Sequence, residues 1–367
     1  MIHTFTIKNF KLFEELKLSG IERVTLLGGP NNIGKSTFLE AVYLNHDINN
    51  PLMFTQHFGF RGIVAFKVTS EFLFAPLFHD FDTGQAIYLE AKVTDGAFGL
   101  QIRESGIPGM RTAEITGSGE LHTTANGAVA SEEPLSGTAF EVEFYRDGQK
   151  VNTADAGVTQ GSDGTASVFL KLREARKLPH APTAAFIGTR SVSDPATDSE
   201  RFGDLELEGK SESILEALQI IYPRIKSIVT IAPRKGGAML YADIGLDRKI
   251  PLNLLGDGTN RIAQIALAMG RARGGVLLVD DIDSGLHHSV LPKIWEWLAS
   301  ATKLFDCQVI ATTHSYECLR AAKKGLSSHL WNEFAYFRLD RENDTISPTR
   351  YSAENLEDAL DRDWEVR

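Results

Sequence analysis

Apolar and polar positions alternate over residues 2 to 8 and again over 11 to 18, which is the period of a half-buried strand. The chain is therefore expected to open with two strands paired as a hairpin. Val24-Thr25-Leu26-Leu27 is apolar and β-branched, as a buried strand requires, and Phe38-Leu39-Glu40-Ala41-Val42-Tyr43-Leu44 starts a helical spacing that should run out by about Asn45. From residue 62 to about 190, Gly, Thr, Ser and Ala become frequent. Short runs there read as strands: Gly62 to Val68, Ala86 to Val93, Phe98 to Ile102, Ala139 to Tyr145 and Ser167 to Leu172. Gly117-Ser118-Gly119, Gly127 to Ser131 and Gly157 to Gly164 read as exposed loops between them.

Beyond the β-rich block the pattern changes to alternating helices and strands. Helices are expected over 209 to 222, 260 to 272, 288 to 303 and 316 to 325, and strands over 228 to 231, 238 to 244, 276 to 280 and 308 to 312. Two more strands follow between 334 and 349, and a short acidic helix ends the chain. The predicted class is α/β, with a mixed-sheet core, N-terminal antiparallel strands and a β-rich insertion. The expected division is an N-terminal lobe at 1–61, the insertion at 62–190 and a C-terminal lobe at 191–367.

The junction between the strand at Val24 and the helix at Phe38 carries the clearest chemistry. Gly29-Pro30-Asn31-Asn32-Ile33-Gly34-Lys35-Ser36, followed by Thr37, fits G-x-x-x-x-G-K-[ST] between a strand and a helix. Gly29 and Gly34 free the backbone to turn its N–H groups toward phosphate oxygens, and the helix N-terminus adds partial positive charge. Lys35 would reach the β- and γ-phosphates, and the Ser36 hydroxyl would ligate Mg²⁺. A nucleoside triphosphate such as ATP is the expected ligand of residues 29 to 37.

Composition narrows the setting. The chain has 367 residues, 43% hydrophobic and 23% charged, so a substantial core is expected and wholesale disorder is not. Its formal charge of -10 gives no global attraction to nucleic acid. The only cysteines, Cys307 and Cys318, build neither a disulfide framework nor a metal motif, which suits a reducing cytosol. With no long apolar run, the protein is expected to be cytoplasmic and not to engage a membrane.

Three further segments bear on the same chemistry. Gly275-Val276-Leu277-Leu278-Val279-Asp280-Asp281 is an apolar strand ending in paired acids, the form of a Walker B segment. Asp280 would hold Mg²⁺ opposite Ser36, and Asp281 stands where a general base is needed. Two acids there could also simply cap the next helix. Leu254-Leu255-Gly256-Asp257-Gly258-Thr259-Asn260-Arg261 is a Gly-flanked turn opening a helix, a second anion site in form. Gln308-Val309-Ile310-Ala311-Thr312-Thr313-His314-Ser315 is a strand ending in a histidine that could bond the γ-phosphate or the attacking water. The adjacent His287-His288 do not face one site and are read as non-metal.

Taken in chain order, the phosphate loop, the Gly256 turn, the acid-ended strand, the Asp283-Ser284-Gly285 segment and the histidine-ended strand resemble the ABC-type ATPases of the SMC, RecF and OLD groups, closest to compact OLD-like, AAA-type prokaryotic ATPases without a Toprim domain. The resemblance covers residues 1 to 45 and about 184 to 367. It includes Asn9-Phe10-Lys11, Gly256-Asp257-Gly258-Thr259 and Thr312-Thr313-His314-Ser315. It implies a P-loop NTPase fold with an ABC-type head, in which Gly256, Asp257 and Gly258 form the signature loop and Asp283-Ser284-Gly285 the D-loop. The catalytic residues would be Lys35, Asp281 and His314. Further implications are a head-to-head homodimer sandwiching two ATP-Mg²⁺ and a partner effector on another chain, such as a nuclease or toxin in anti-phage defence.

Departures from that pattern shape the expectation. The signature lacks the transporters' Ser-Gly-Gly-Gln, no heptad arm interrupts the head, and no Q-loop is secure, Gln56 and Gln101 being the early candidates. Asp281 stands where many relatives carry Glu, which lengthens its reach to water by about 1.5 Å and predicts slow hydrolysis. The alternative function is a RecF-like DNA-binding repair ATPase, with Lys171, Arg173, Arg176 and Lys177 as phosphate contacts; the net acidity of the chain favours a solvated face for these four instead. Arg190 could contact nucleotide or the partner protomer, or be an ordinary surface arginine.

Overall fold

The computed structural model describes all residues except 49, 51–52, 61–69, 106–138, 161–165, 175–180, 190–193, 233–236, 327–330, 363–365 and 367. The expected strands at Gly62 to Val68, the loops at Gly117 to Ser131, and Arg190 lie outside the described residues.

Two strands open the chain, β1 (Ile2–Phe10) and β2 (Phe13–Ser19), and they pair antiparallel as expected. β3 (Val24–Gly28) is buried along its whole length and leads into α1 (Lys35–His46). Two short helices follow, α2 (Met53–Phe60) and α3 (Ser70–Phe74). An antiparallel series then comprises β4 (Ile87–Val93), β5 (Gly96–Ser105), β6 (Ala139–Arg146), β7 (Gln149–Gln160) and β8 (Ala166–Leu172). Among the described residues these strands extend the opening hairpin into a seven-stranded sheet of order β2-β1-β4-β5-β6-β7-β8.

β9 (Ala184–Ile187) leaves that sheet and joins a second one, together with β13 (Val276–Val279), β14 (Gln308–Thr312), β15 (Phe334–Glu342) and β16 (Thr345–Tyr351). Its order is β16-β15-β3-β14-β13-β9, parallel throughout except for the antiparallel β16. β10 (Ser227–Ile231), β11 (Met239–Asp243) and β12 (Ile250–Pro251) form a small third sheet. The remaining helices are α4 (Pro195–Leu207), α5 (Ser211–Ile221), α6 (Asp257–Arg271), α7 (Leu291–Leu304), α8 (Tyr316–Gly325) and α9 (Ala353–Asp361). None of the described helices is long and apolar enough to cross a membrane.

The strand period explains the layering. In β13, Val276 and Leu278 face one core while Leu277 and Val279 face the other. The first core holds α1, wedged between β1 and β4 on one side and β9, β13 and β14 on the other. The second core joins the parallel strands to α5, α6, α7 and α8. A helix buried between two sheets must be apolar nearly all round, and α1 is buried at every residue but Ser36.

The sequence named no helix at α2 or α3 and no strand at β9 or β12, and two further elements differ from expectation. Gly157 to Gln160 belong to β7 and pair with β8; the inward residues Ala154, Ala156 and Val158 are small, so the alternation is faint. The helix expected over 209 to 222 is preceded by a separate helix, α4, whose only buried side chains are Ser199, Phe202 and Leu205. Its signal was the cap: Asp194 accepts from the Thr197 N–H at 3.1 Å, with Pro195 in the first turn.

Candidate functional site

β3 and β13 flank β14, so the phosphate-loop strand and the acid-ended strand stand about 10 Å apart, two strand spacings. The side chains at their C-terminal ends close that gap. Ser36 Oγ, in the first turn of α1, donates to Asp280 at 2.8 Å from Oδ1 and 2.9 Å from Oδ2. Thr312, the last residue of the intervening strand, donates from Oγ1 to Asp280 Oδ1 at 2.7 Å and accepts from the Asp281 N–H at 2.8 Å. Burial pushes the Asp280 carboxyl above its ordinary range, against the pull of the Thr312 and Ser36 hydroxyls.

The loop itself has the required backbone. Gly34 sits at φ 97°, and a Cβ there would lie 2.6 Å from the Phe13 ring, so both conformation and space demand glycine. Gly29 takes φ 129° and Asn32 φ 60°, the latter in the left-handed region that asparagine tolerates. Lys35 Nζ donates to the carbonyls of Gly29 at 2.7 Å and Pro30 at 2.9 Å. Burial lowers its pKa, opposed by Asp281 and Asp280.

These groups face a cavity of about 780 Å³ lined in part by Asn31, Asn32, Lys35, Ser36, Thr37 and Asp281. Leu12 and Glu40 reach the same cavity. Glu40 is held by Lys11 Nζ at 2.7 Å, so the Asn9-Phe10-Lys11 turn brings a cation to the cavity wall by way of a carboxylate. The hydroxyl-carboxylate pair of Ser36 and Asp280 supplies hard oxygen donors, the chemistry that fits Mg²⁺.

Asp281 adopts φ 46°, a left-handed conformation that costs a residue bearing a Cβ. Its carboxylate meets His314 Nδ1 at 3.3 Å, and the His314 side chain is 58% exposed. Asp283 accepts from Thr313 Oγ1 at 2.7 Å, tying the segment after the acid pair to the one carrying His314. The rings of His287 and His288 lie 4.2 Å apart, with His287 Nδ1 bonded to Ser289 Oγ.

Gly256, Asp257 and Gly258 start α6 but do not line this cavity. Gly258 packs so closely on the Gly285 carbonyl that a Cβ would lie 2.9 Å from it. Gln56 and Gln101 also stand apart from the cavity lining; Gln101 is on β5, where its Oε1 accepts from the Tyr145 hydroxyl at 3.3 Å.

Sequence reasoning missed two residues here. Thr189, just beyond β9, places Oγ1 3.3 Å from both Asp280 Oδ2 and Asp281 Oδ2. Arg261 on α6 donates from Nη1 to the Gly188 carbonyl at 2.8 Å and from Nη2 to the carbonyls of Asp280 and Asp281. The signal for Arg261 was its place in the turn Gly256-Asp257-Gly258-Thr259-Asn260-Arg261. Thr189 had none, because only strand pairing brings β9 beside β13.

Comparison with known proteins meets the same segments. Residues 1–78 match an AAA ATPase domain family, and residues 142–320 match an AAA domain family whose description names an AbiEii toxin and a type IV TA system. A protein of Helicobacter pylori (strain ATCC 700392 / 26695) named ATP/GTP phosphatase is 24% identical, over 97% of each chain. Among solved structures, the SMC head domain from Thermotoga maritima is 13% identical with a TM-score of 0.45, covering 95% of this chain and 98% of that one. An SMC head bound to the C-winged helix domain of ScpA is 11% identical with a TM-score of 0.48, covering 97% and 99%. One family model thus spans the phosphate loop and the other spans Asp280, Asp281 and His314, making the chain similar to AAA ATPases on both sides of its α/β site.

Proposed function

We propose that the chain binds ATP with Mg²⁺ in the cavity beside α1 and hydrolyses it to ADP and phosphate. The observation that carries this reading is the Ser36–Asp280 contact, which joins the phosphate loop to the acid-ended strand at the cavity wall. Residues 29 to 37 hold the phosphates, with the Lys35 ammonium exchanging loop carbonyls for phosphate oxygens. Ser36 and Asp280 would hold Mg²⁺, which neutralises phosphate charge when bound. Asp281 accepts the proton of the attacking water, and His314, bonded to Asp281, orients it. With Asp in place of Glu the turnover is slow.

The same reading includes head-to-head dimerisation on ATP, with Gly256, Asp257 and Gly258 of one copy completing the site of the other. Their position outside their own cavity supports it. ATP binding then favours the closed pair and hydrolysis releases it, a population shift able to gate an effector such as a toxin or nuclease in anti-phage defence. The family description naming an AbiEii toxin and a type IV TA system supports this setting. In the division into lobes at 1–61 and 191–367 around an insertion at 62–190, the strands β5 to β8, at the end of the seven-stranded sheet beyond β1 and β4, are the part that meets that partner.

A RecF-like DNA-binding role has less support. Arg173, within the basic cluster, is bonded to Asp155 and Glu141, and Arg176 and Lys177 lie outside the described residues. Sedimentation of the parent and Asp281→Asn proteins, with and without ATP and Mg²⁺, tests the dimer. The expected result is an ATP-dependent dimer that persists in the variant; monomers under every condition would remove the composite site.

A further inference from the structure

We propose that Arg261 is a positioning residue for hydrolysis, setting the place of the Asp281 carboxylate by holding its backbone; this rests on the ATPase reading above. Arg261 is 7% exposed, on α6 just beyond the Gly256–Gly258 turn, and does not line the cavity. It therefore acts on the site through other residues.

The geometry defines what it does. Asp281 is held in its left-handed conformation from both ends. Its N–H donates to Thr312 Oγ1 at 2.8 Å, and its carbonyl accepts from Arg261 Nη2 at 3.2 Å. The same nitrogen also bonds the Asp280 carbonyl, so the guanidinium spans both acids. Its other terminal nitrogen holds the Gly188 carbonyl at 2.8 Å, fixing the residue before Thr189, whose hydroxyl stands between the two carboxylates. One planar fork thus fixes the ends of β9 and β13 together.

A lysine ammonium cannot span those carbonyls with the same fixed geometry. The residue also links the helix that begins at Gly256–Gly258 to the general base, so the turn expected to meet a second copy is mechanically joined to Asp281. Burying a guanidinium is costly, and Nε has no partner among the described residues, so fold stability alone is a poor explanation for an arginine here. Burial lowers its pKa, as expected for a cation drawn out of water.

The test measures steady-state ATP hydrolysis and affinity for a fluorescent ATP analogue with Mg²⁺. The proteins are the parent, Arg261→Gln, Arg261→Lys, Asp281→Asn and the double variant Arg261→Gln/Asp281→Asn, each checked by thermal melting. Arg261→Gln should lower kcat on the order of 10- to 100-fold, the scale of a displaced catalytic group, with KM and analogue affinity within about threefold of the parent. Arg261→Lys should fall between the two. Because Arg261 acts through Asp281, the double variant should hydrolyse within about twofold of Asp281→Asn alone.

Should Arg261→Gln fail to fold, Arg261→Lys decides alone, and parental kcat in that variant overturns the proposal. A parental rate in folded Arg261→Gln, a loss confined to nucleotide affinity, or an equal loss in the Asp281→Asn background would each overturn it as well. A parent that does not hydrolyse ATP overturns the ATPase reading itself; a hydrolysing parent beside an equally fast Arg261→Gln overturns only the positioning role.

Discussion

Ser36 and Asp280 lie 244 positions apart in sequence and meet through a 2.8 Å hydrogen bond from hydroxyl to carboxylate. The contact exists because β14 lies between β3 and β13 and ends level with both, so that Thr312 braces Asp280 from its other side. Asp280→Asn keeps the size and most of the hydrogen bonding but loses the charge. It should lower hydrolysis by about 100-fold, the scale of removing one strong electrostatic contact, and raise the Mg²⁺ concentration needed for half-maximal rate. A Mg²⁺ titration curve that overlays the parent's would remove Asp280 from the site.

Asp281 and His314 separate by the size of their effects. Loss of a general base costs on the order of 10²- to 10⁴-fold, so Asp281→Asn should nearly abolish phosphate release while retaining ATP affinity. His314→Ala removes only the partner of Asp281 at 3.3 Å and should cost less than Asp281→Asn. Single-turnover rates for the two variants settle the order; a faster Asp281→Asn protein would exchange the roles.

His46, the last residue of α1, predicts how stability depends on pH. Its Nδ1 donates to the Val42 carbonyl at 2.7 Å, and Nε2 is buried with no partner among the described residues. Burial draws the imidazole pKa from the ordinary 6.5 down to about 4. Between those values the unfolded chain takes up a proton that the folded chain refuses. The contribution is therefore whole above pH 6.5 and lost as pH falls to about 4, on the order of 3 kcal/mol. Asp47, whose carboxyl burial pushes up, works in the opposite sense but is common to parent and variant. Urea melts near pH 7 and pH 4.5 should show His46→Leu losing less stability on acidification than the parent; equal losses would contradict the assignment.

How much was legible in the sequence follows from where each signal resides. The phosphate loop is local: eight consecutive residues carry the glycines, the lysine and the hydroxyl, and both flanking elements show their period. The acid pair and His314 were legible for the same reason, each ending an apolar strand. Thr189 and the bracing role of Thr312 were not, since both depend on strand order, which a single sequence does not encode at short range. β7 was partly hidden because its buried positions, Asn152, Ala154, Ala156, Gly157 and Val158, are small or polar, and α4 because its burial is confined to three side chains.

The outer face of the antiparallel sheet yields a prediction about nucleic acid. Arg173 bonds Asp155 at 2.6 Å and also Glu141, while Glu143 is held by Lys150 at 2.9 Å and by Arg103. Cations already paired release few counterions on meeting DNA, so affinity for a duplex should be weak and change little with salt. A steep fall in binding between about 50 and 200 mM salt would restore the repair reading.

Phosphate release from ATP with Mg²⁺, measured for the parent beside Lys35→Ala, decides whether this cavity turns over ATP. The Lys35 ammonium is held 2.7 Å from the Gly29 carbonyl at the wall of the cavity, and its loss removes the cation expected to meet the β- and γ-phosphates. Slow, Mg²⁺-dependent release by the parent and none above background by the variant is the expected outcome. A parent as inert as Lys35→Ala, or a variant as active as the parent, would contradict it.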